Sequence, residues 1–136
     1  MKNYVLKTTL LLLVTGLLSC SSDNDKKTSL EGTWAITHSE GYLKENGKKK
    51  AEWDEEYQGN DEEDQIEFTP CGQMRFWFGD DFIDDAYTYK KGKIYLDNYI
   101  LVFDVLKHTY QELVLSLNVE VDEYEMYEKQ MLKRIK

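Results

Sequence analysis

The chain has 136 residues, of which 17 are Lys or Arg and 26 are Asp or Glu, giving a formal charge of −9. That length supports one domain. The acidic balance argues against nucleic-acid binding, which needs a basic face to displace counterions from phosphates, and favours basic partners instead.

Residues 1–19 carry the three parts of a secretion signal: Lys2 and Lys7, an apolar run from Leu10 to Leu18, and Ser19 before the cut. A membrane-spanning helix needs roughly 20 apolar residues, and this run is shorter and interrupted by Thr15 and Gly16. Leu17-Leu18-Ser19-Cys20 resembles the lipobox of bacterial lipoproteins. That resemblance implies a diacylglycerol thioether on Cys20 and, through Ser21, an outer-membrane protein that is periplasmic or surface-facing. A buried CH₂ contributes about 0.8 kcal/mol, so two or more acyl chains would anchor the protein durably. Cleavage removes Lys2 and Lys7 and leaves fifteen basic residues against twenty-six acidic ones, a charge of −11. With Cys20 acylated, the expectation is that Cys71 enters neither an intramolecular disulfide nor a cysteine-based zinc site. Residues 20–29 are polar and read as a flexible tether to the membrane.

From Leu30 onward the chain reads as strands and turns. Trp34, Ile36 and His38 share the inward face of a first strand, with Ala35, Thr37 and Ser39 on the other. Asn46-Gly47 signals a hairpin that returns through Lys48 to Trp53. Asp54 to Asp64, with seven acids, reads as an exposed loop. Thr69-Pro70-Cys71-Gly72 predicts a tight turn in which residue 69 pairs with 73, setting Phe68 opposite Met74, Ile66 opposite Phe76 and Glu67 opposite Arg75. Lys91-Gly92 closes a second hairpin, pairing Tyr89 with Ile94 and Tyr87 with Leu96. A third at Asp97-Asn98 pairs Ile94 with Leu101. Leu101, Phe103 and Val105 then face inward, followed by Leu113, Leu115, Leu117 and Val119.

Residues 122–136 carry two conflicting signals. Asp122 and Glu125 form a capping box, and Tyr124, Tyr127, Met131 and Ile135 recur at helical spacing. Without this segment, however, the sheet keeps an open edge beside its first strand. The expectation is a strand.

Leu30-x-Gly32-x-Trp34, the successive hairpins, Leu113-Val114-Leu115 and the terminal Leu132-Lys133-Arg134-Ile135 together resemble the lipocalin-like domain of small Gram-negative bacterial lipoproteins. The resemblance covers residues 30–136. It implies an all-β, antiparallel up-and-down meander closing into a small barrel of about eight strands, without established catalysis. Lipocalins proper place the motif's tryptophan on the barrel floor beneath an arginine from near the chain's end, which maps here to Trp34 and Arg134. An even-stranded meander that closes antiparallel brings the same two ends together. Two positions depart from the pattern: His108 stands where an aliphatic residue is expected, and Cys71 replaces the Asp or Asn of the turn.

For nucleophilic catalysis the candidates are Cys71, His38 and His108, but a turn thiol without oxyanion donors or a helix N-terminus is not activated. No enzyme is expected. Asp80-Asp81 and Asp84-Asp85 read as solvated carboxylates. The stretch from Asp54 to Gln65 places Gly59 like an EF-hand loop but fills ligand positions poorly with Glu56, Gln58 and Gln65, and two isolated histidines do not make a transition-metal site. No metal or cofactor is expected. His38, Phe76, Phe78, Tyr87 and Tyr89 are the inward candidates for ligand contact, weighed against simple core filling. Trp77, outward beside Gln73 and Arg75, is the candidate partner anchor, weighed against a barrel wall covered by the acidic loop. The leading expectation is a monomeric, lipid-anchored, non-enzymatic barrel binding a small apolar or amphipathic molecule. The alternatives are an acidic, inhibitor-like or immunity-like lipoprotein that captures a basic protein with the 54–64 loop, and a glycan binder.

Overall fold

A computed structural model describes residues 29–136; the signal segment, Cys20 and residues 21–28 lie outside the described residues. Nine strands follow one another: β1 Gly32–Glu45, β2 Lys48–Glu56, β3 Gln65–Phe68, β4 Gln73–Phe78, β5 Asp81–Lys90, β6 Lys93–Leu96, β7 Val102–His108, β8 Glu112–Val121 and β9 Tyr124–Arg134. Eight form an antiparallel up-and-down meander, β1-β3-β4-β5-β6-β7-β8-β9, and pairing of β9 with β1 closes it into a barrel. The extra strand is β2.

One edge of β1 serves two partners. Residues 32–35 pair with β3 and residues 38–45 with β2. A break at 57–64, containing a 3₁₀ turn at Glu62–Asp64, separates β2 from β3. The expected 54–64 loop is therefore too long. Asp54, Glu55 and Glu56 belong to β2, where the cross-strand register sets Glu56 opposite His38 and Asp54 opposite Glu40.

The turn at 69–72 has the expected register, with Phe68 opposite Met74 and Glu67 opposite Arg75. The second hairpin also matches, with Tyr87 opposite Leu96 and Tyr89 opposite Ile94. The third does not: Ile94 pairs with Phe103. Asp85 supplies the reason. Its carboxylate accepts the backbone N–H and the side-chain Nδ2 of Asn98, both at 2.7 Å, and the Ala86 N–H at 3.0 Å. These bonds, the Asn98 N–H foremost, hold its pKa below the usual carboxylate value and draw the chain into a wider loop. The slip is two residues, so the facing pattern survives and both Leu101 and Phe103 stay buried.

Two bulges decide which side chains enter the barrel. The register shifts between Ile36 and His38, so the inward row of β1 runs Trp34, Ile36 and then Ser39. His38 is thrown onto the outer wall, which corrects its expected inward position. A second shift between Val105 and Lys107 turns His108 inward, opposite the fully buried Leu113.

In 122–136 the sheet prevails over the helical signals. β9 pairs with β8 along one edge and with β1 along the other, so its backbone groups are satisfied on both sides. A helix there would satisfy only itself and leave two edges exposed.

The floor of the barrel is densely filled by Trp34, Phe68, Met74, Ile94, Leu113 and Leu132, all essentially inaccessible. Arg134 is the cross-strand partner of Trp34, and its Cζ lies 4.2 Å over the indole and 4.9 Å over the Tyr110 ring. The same guanidinium donates to the carbonyls of Tyr110 at 2.6 Å, of Ser29 at 3.1 Å and of Glu31. Trp34 Nε1 donates to the Leu30 carbonyl at 2.9 Å. Gly32, at φ 129°, completes the arrangement, because a Cβ there would run into Arg134 Nη1 and the Lys136 carbonyl oxygen. His108 packs edge-on against Trp34, with ring centroids 6.2 Å apart.

Two outcomes follow for the floor. Cation–π stacking contributes about 0.5–2 kcal/mol and a hydrogen bond from a charged group about 1.5–3. Arg134→Lys, which cannot stack and reach three carbonyls at once, is expected to lower the unfolding free energy by about 2 kcal/mol in urea titration. Trp34→Ala is expected to cost about 3–5 kcal/mol; unchanged midpoints in both variants would show that the floor carries no stability.

The second outcome concerns pH. Burial chiefly, with a smaller push from Arg134, lowers the His108 pKa below its ordinary 6.5, against an opposing hydrogen bond to the Ser29 backbone. Its stabilising contribution is full above about 6.5 and is lost as pH falls through the lower folded-state value. The thermal midpoint should therefore drop between about pH 7 and 5, and by less in His108→Phe. Equal pH slopes for the two proteins would refute this assignment.

Candidate functional site

Above the floor the inward row of β1 shrinks from Trp34 and Ile36 to Ser39 and Gly41. Gly41 is held to glycine by close approach, since a Cβ would overlap the Tyr127 carbonyl oxygen and the Trp53 ring. Ser39 borders a cavity in the upper barrel, whereas the space beside Gly41 is taken by Trp53 and the Tyr127 backbone. The cavity measures about 370 Å³, within the roughly 300–1,000 Å³ of ligand sites. Its deep walls are the buried Ile36, Ile66, Phe76, Phe103, Leu115 and Leu117. Nearer the opening lie Tyr57, Glu63, Asp64, Trp77, Phe78 and Met126.

A polar chain crosses the apolar wall. Leu132 sets the phase of β9, and alternation then places Gln130, Glu128 and Met126 along the same inward row. Glu128 Oε1 accepts the Ser39 hydroxyl at 3.0 Å and Gln130 Nε2 at 2.7 Å. Ser39 Oγ in turn accepts Trp53 Nε1 at 3.2 Å. Burial, then its hydrogen bond to Glu55, pushes the Tyr57 phenol up to about 12, with Glu128 adding to the shift, so Tyr57 is a neutral hydroxyl at physiological pH. Burial and, after it, Asp61 raise the Asp64 carboxyl. Three carboxylates line the cavity, those of Glu63, Asp64 and Glu128, and none of its lining residues is Lys, Arg or His.

Of the five inward candidates, Phe76 and Phe78 line this cavity. Tyr87 packs edge-on against Phe68 at 5.1 Å, and burial raises its phenol pKa. Tyr89 approaches His108 at 6.1 Å, toward the floor. Neither tyrosine borders the cavity. His38 is outside the barrel, with Nε2 3.0 Å from Asp54 and Nδ1 3.2 Å from Glu56. His38, Glu40 and Asp54 bring three ligand-type atoms within 4.8 Å of one another, a donor set that suits a divalent cation. Lys129 Nζ, 3.8 Å from Glu40, already answers part of that charge, and the group reads as an ion-pair ladder on the outer wall.

Trp77 is 38 % exposed and tilted 53° against the exposed Phe82 at 5.3 Å, so the pair is no flat platform for a sugar ring. Arg75 is engaged by Glu67 and Asp84, each at 3.2 Å; Asp84, then Glu67, raise its pKa. Its charge is answered within the sheet. Cys71 is disulfide-bonded, which corrects the expectation that it enters no disulfide.

Ser39, Tyr57, Glu128 and Gln130 are the cavity residues that sequence reasoning passed over. The bulge hid Ser39, and the presumed loop hid Tyr57. Glu128 and Gln130 were accessible from Leu132 by counting back in twos. No family model and no curated protein matches the chain.

Proposed function

We propose that the chain is a lipid-anchored, non-enzymatic, lipocalin-like barrel of the outer membrane that binds a small apolar or amphipathic molecule in its upper cavity. The observation that carries the reading is the hollow interior of about 370 Å³, with apolar depths and a polar chain through Ser39, Glu128 and Gln130. The anchor rests on Leu17-Leu18-Ser19-Cys20.

A second reading, capture of a basic protein, is favoured by the exposed Trp77–Phe82 pair, whose Trp77 borders the same opening as Glu63 and Asp64. Trp77 would then be the anchor, with the carboxylates steering.

Mass spectrometry of protein extracted from its own membrane tests the first reading. Denaturing spectra should show a lipid mass that survives reduction, and native spectra an additional molecule lost on denaturation. Leu117→Trp, which fills the cavity, should lose the second mass and keep the first. An unmodified chain refutes the anchor, and an empty native spectrum refutes the ligand.

The second reading predicts that a basic protein retained on the immobilised chain elutes as salt rises from about 0.05 to 0.5 M and is not retained by Trp77→Ala. Retention indifferent to both changes would rule it out.

A further inference from the structure

Resting on the small-ligand reading and narrowing it, we infer that the cavity selects an organic cation: an amine or ammonium group carried on an apolar or aromatic body. The warrant is the sign of the charge along its walls. Glu63, Asp64 and Glu128 line the cavity, and no lining residue is basic. An anionic headgroup would meet three carboxylates with nothing to pair against, and like charges brought together in a partly desolvated space repel strongly. A neutral amphiphile would gain only from the apolar walls. A cation gains from both.

Glu128 is built to receive it. Its Oε1 takes the Ser39 and Gln130 donors, which fixes the carboxylate in place, while Oε2 accepts no hydrogen bond among the described residues. An N–H⁺ donor at Oε2 would complete the set with a charge-assisted bond. Aromatic rings stand in the same walls: Phe76, Phe78 and Phe103, with Trp77 at the opening. Ring faces attract cations and repel anions. A bare inorganic cation would meet apolar surface at Ile66, Phe103 and Leu115, where no oxygen replaces its water; an organic cation buries its body there instead. The charge of −9 over the whole chain adds a field that concentrates cations at the opening.

Three water-soluble probes of one shape separate the terms: phenethylammonium, phenethyl alcohol and hydrocinnamate, titrated calorimetrically into the full chain at low salt. A charged hydrogen bond contributes about 1.5–3 kcal/mol, so the ammonium should bind about tenfold or more tightly than the alcohol, with the carboxylate weakest. Glu128→Gln should remove that advantage while leaving the alcohol's affinity within about twofold, each tenfold step corresponding to about 1.4 kcal/mol. Should Glu128→Gln fold poorly, the surface-side variant Glu63→Gln/Asp64→Asn should still reduce the preference for the ammonium. Equal or tighter binding of the alcohol or the carboxylate overturns the cation inference and leaves the small-ligand reading standing. No binding by any of the three, with the barrel folded, overturns both.

Discussion

The stacking of Arg134 on Trp34 secures one end of the β1–β9 ladder that closes the barrel. The two residues belong to the first and last strands and face each other directly in the register, so their meeting requires every intervening turn to be in place. Bringing distant segments together costs loop-closure entropy, and local hydrogen bonds alone do not offset it. The guanidinium gathers more than one return for that cost. It lies over two rings and binds carbonyls from residues 29, 31 and 110, so the leader, the β7–β8 loop and both terminal strands converge on one cation. Gly32 belongs to the same device, because any side chain there would occupy the space of the guanidinium. The Gly-x-Trp spacing thus acquires a steric meaning.

With the floor sealed, the interior divides at one extra residue in β1. Below the bulge the row is Trp34 and Ile36, large and apolar. Above it the row is Ser39 and Gly41. Continuous alternation would have put His38 and Glu40 inside, where an imidazole and a carboxylate would displace the cavity. The bulge instead sends both to the outer wall, where Asp54, Glu56 and Lys129 answer them. One backbone irregularity therefore creates the hollow and keeps the outer surface electrostatically satisfied.

The parts of this fold legible from sequence are those determined by neighbours along the chain. Thr69 to Gly72 and Lys91-Gly92 fix their registers locally, and the observed pairs follow; Asn46-Gly47 marks its turn, but the ladder beyond it shifts register between Leu43 and Lys44. The loop at 97–101 escaped because its cause, Asp85, is thirteen residues from Asn98. The register shifts at 36–38, 43–44 and 105–107 escaped because period-two reading assumes an unbroken strand. In 122–136 the capping box and helical spacing were locally correct signals that nonlocal pairing on two edges outweighed. The same decision governed the site. Only when 124–134 is read as a strand do Gln130 and Glu128 fall inside, and Tyr57 became a cavity residue only when β2 reached Glu56.

Glu128 is also where foldability and use part company. Leu132 and Met126 begin and end an inward row that two further apolar residues would have continued, filling the upper barrel as the lower one is filled. Placing a carboxylate there carries a desolvation cost that hydrogen bonds from Ser39 and Gln130 offset. A sequence under pressure for stability alone has no reason to keep Ser39, Glu128 and Gln130 together with a void beside them. Local inconsistencies of this kind gather at sites that do work. Here the inconsistency, the void and the excess of negative charge coincide in one cavity, with the densely packed floor beneath it supporting the barrel. That coincidence supports the upper barrel as the candidate working end of the molecule, above a base on which Arg134 and Trp34 stack.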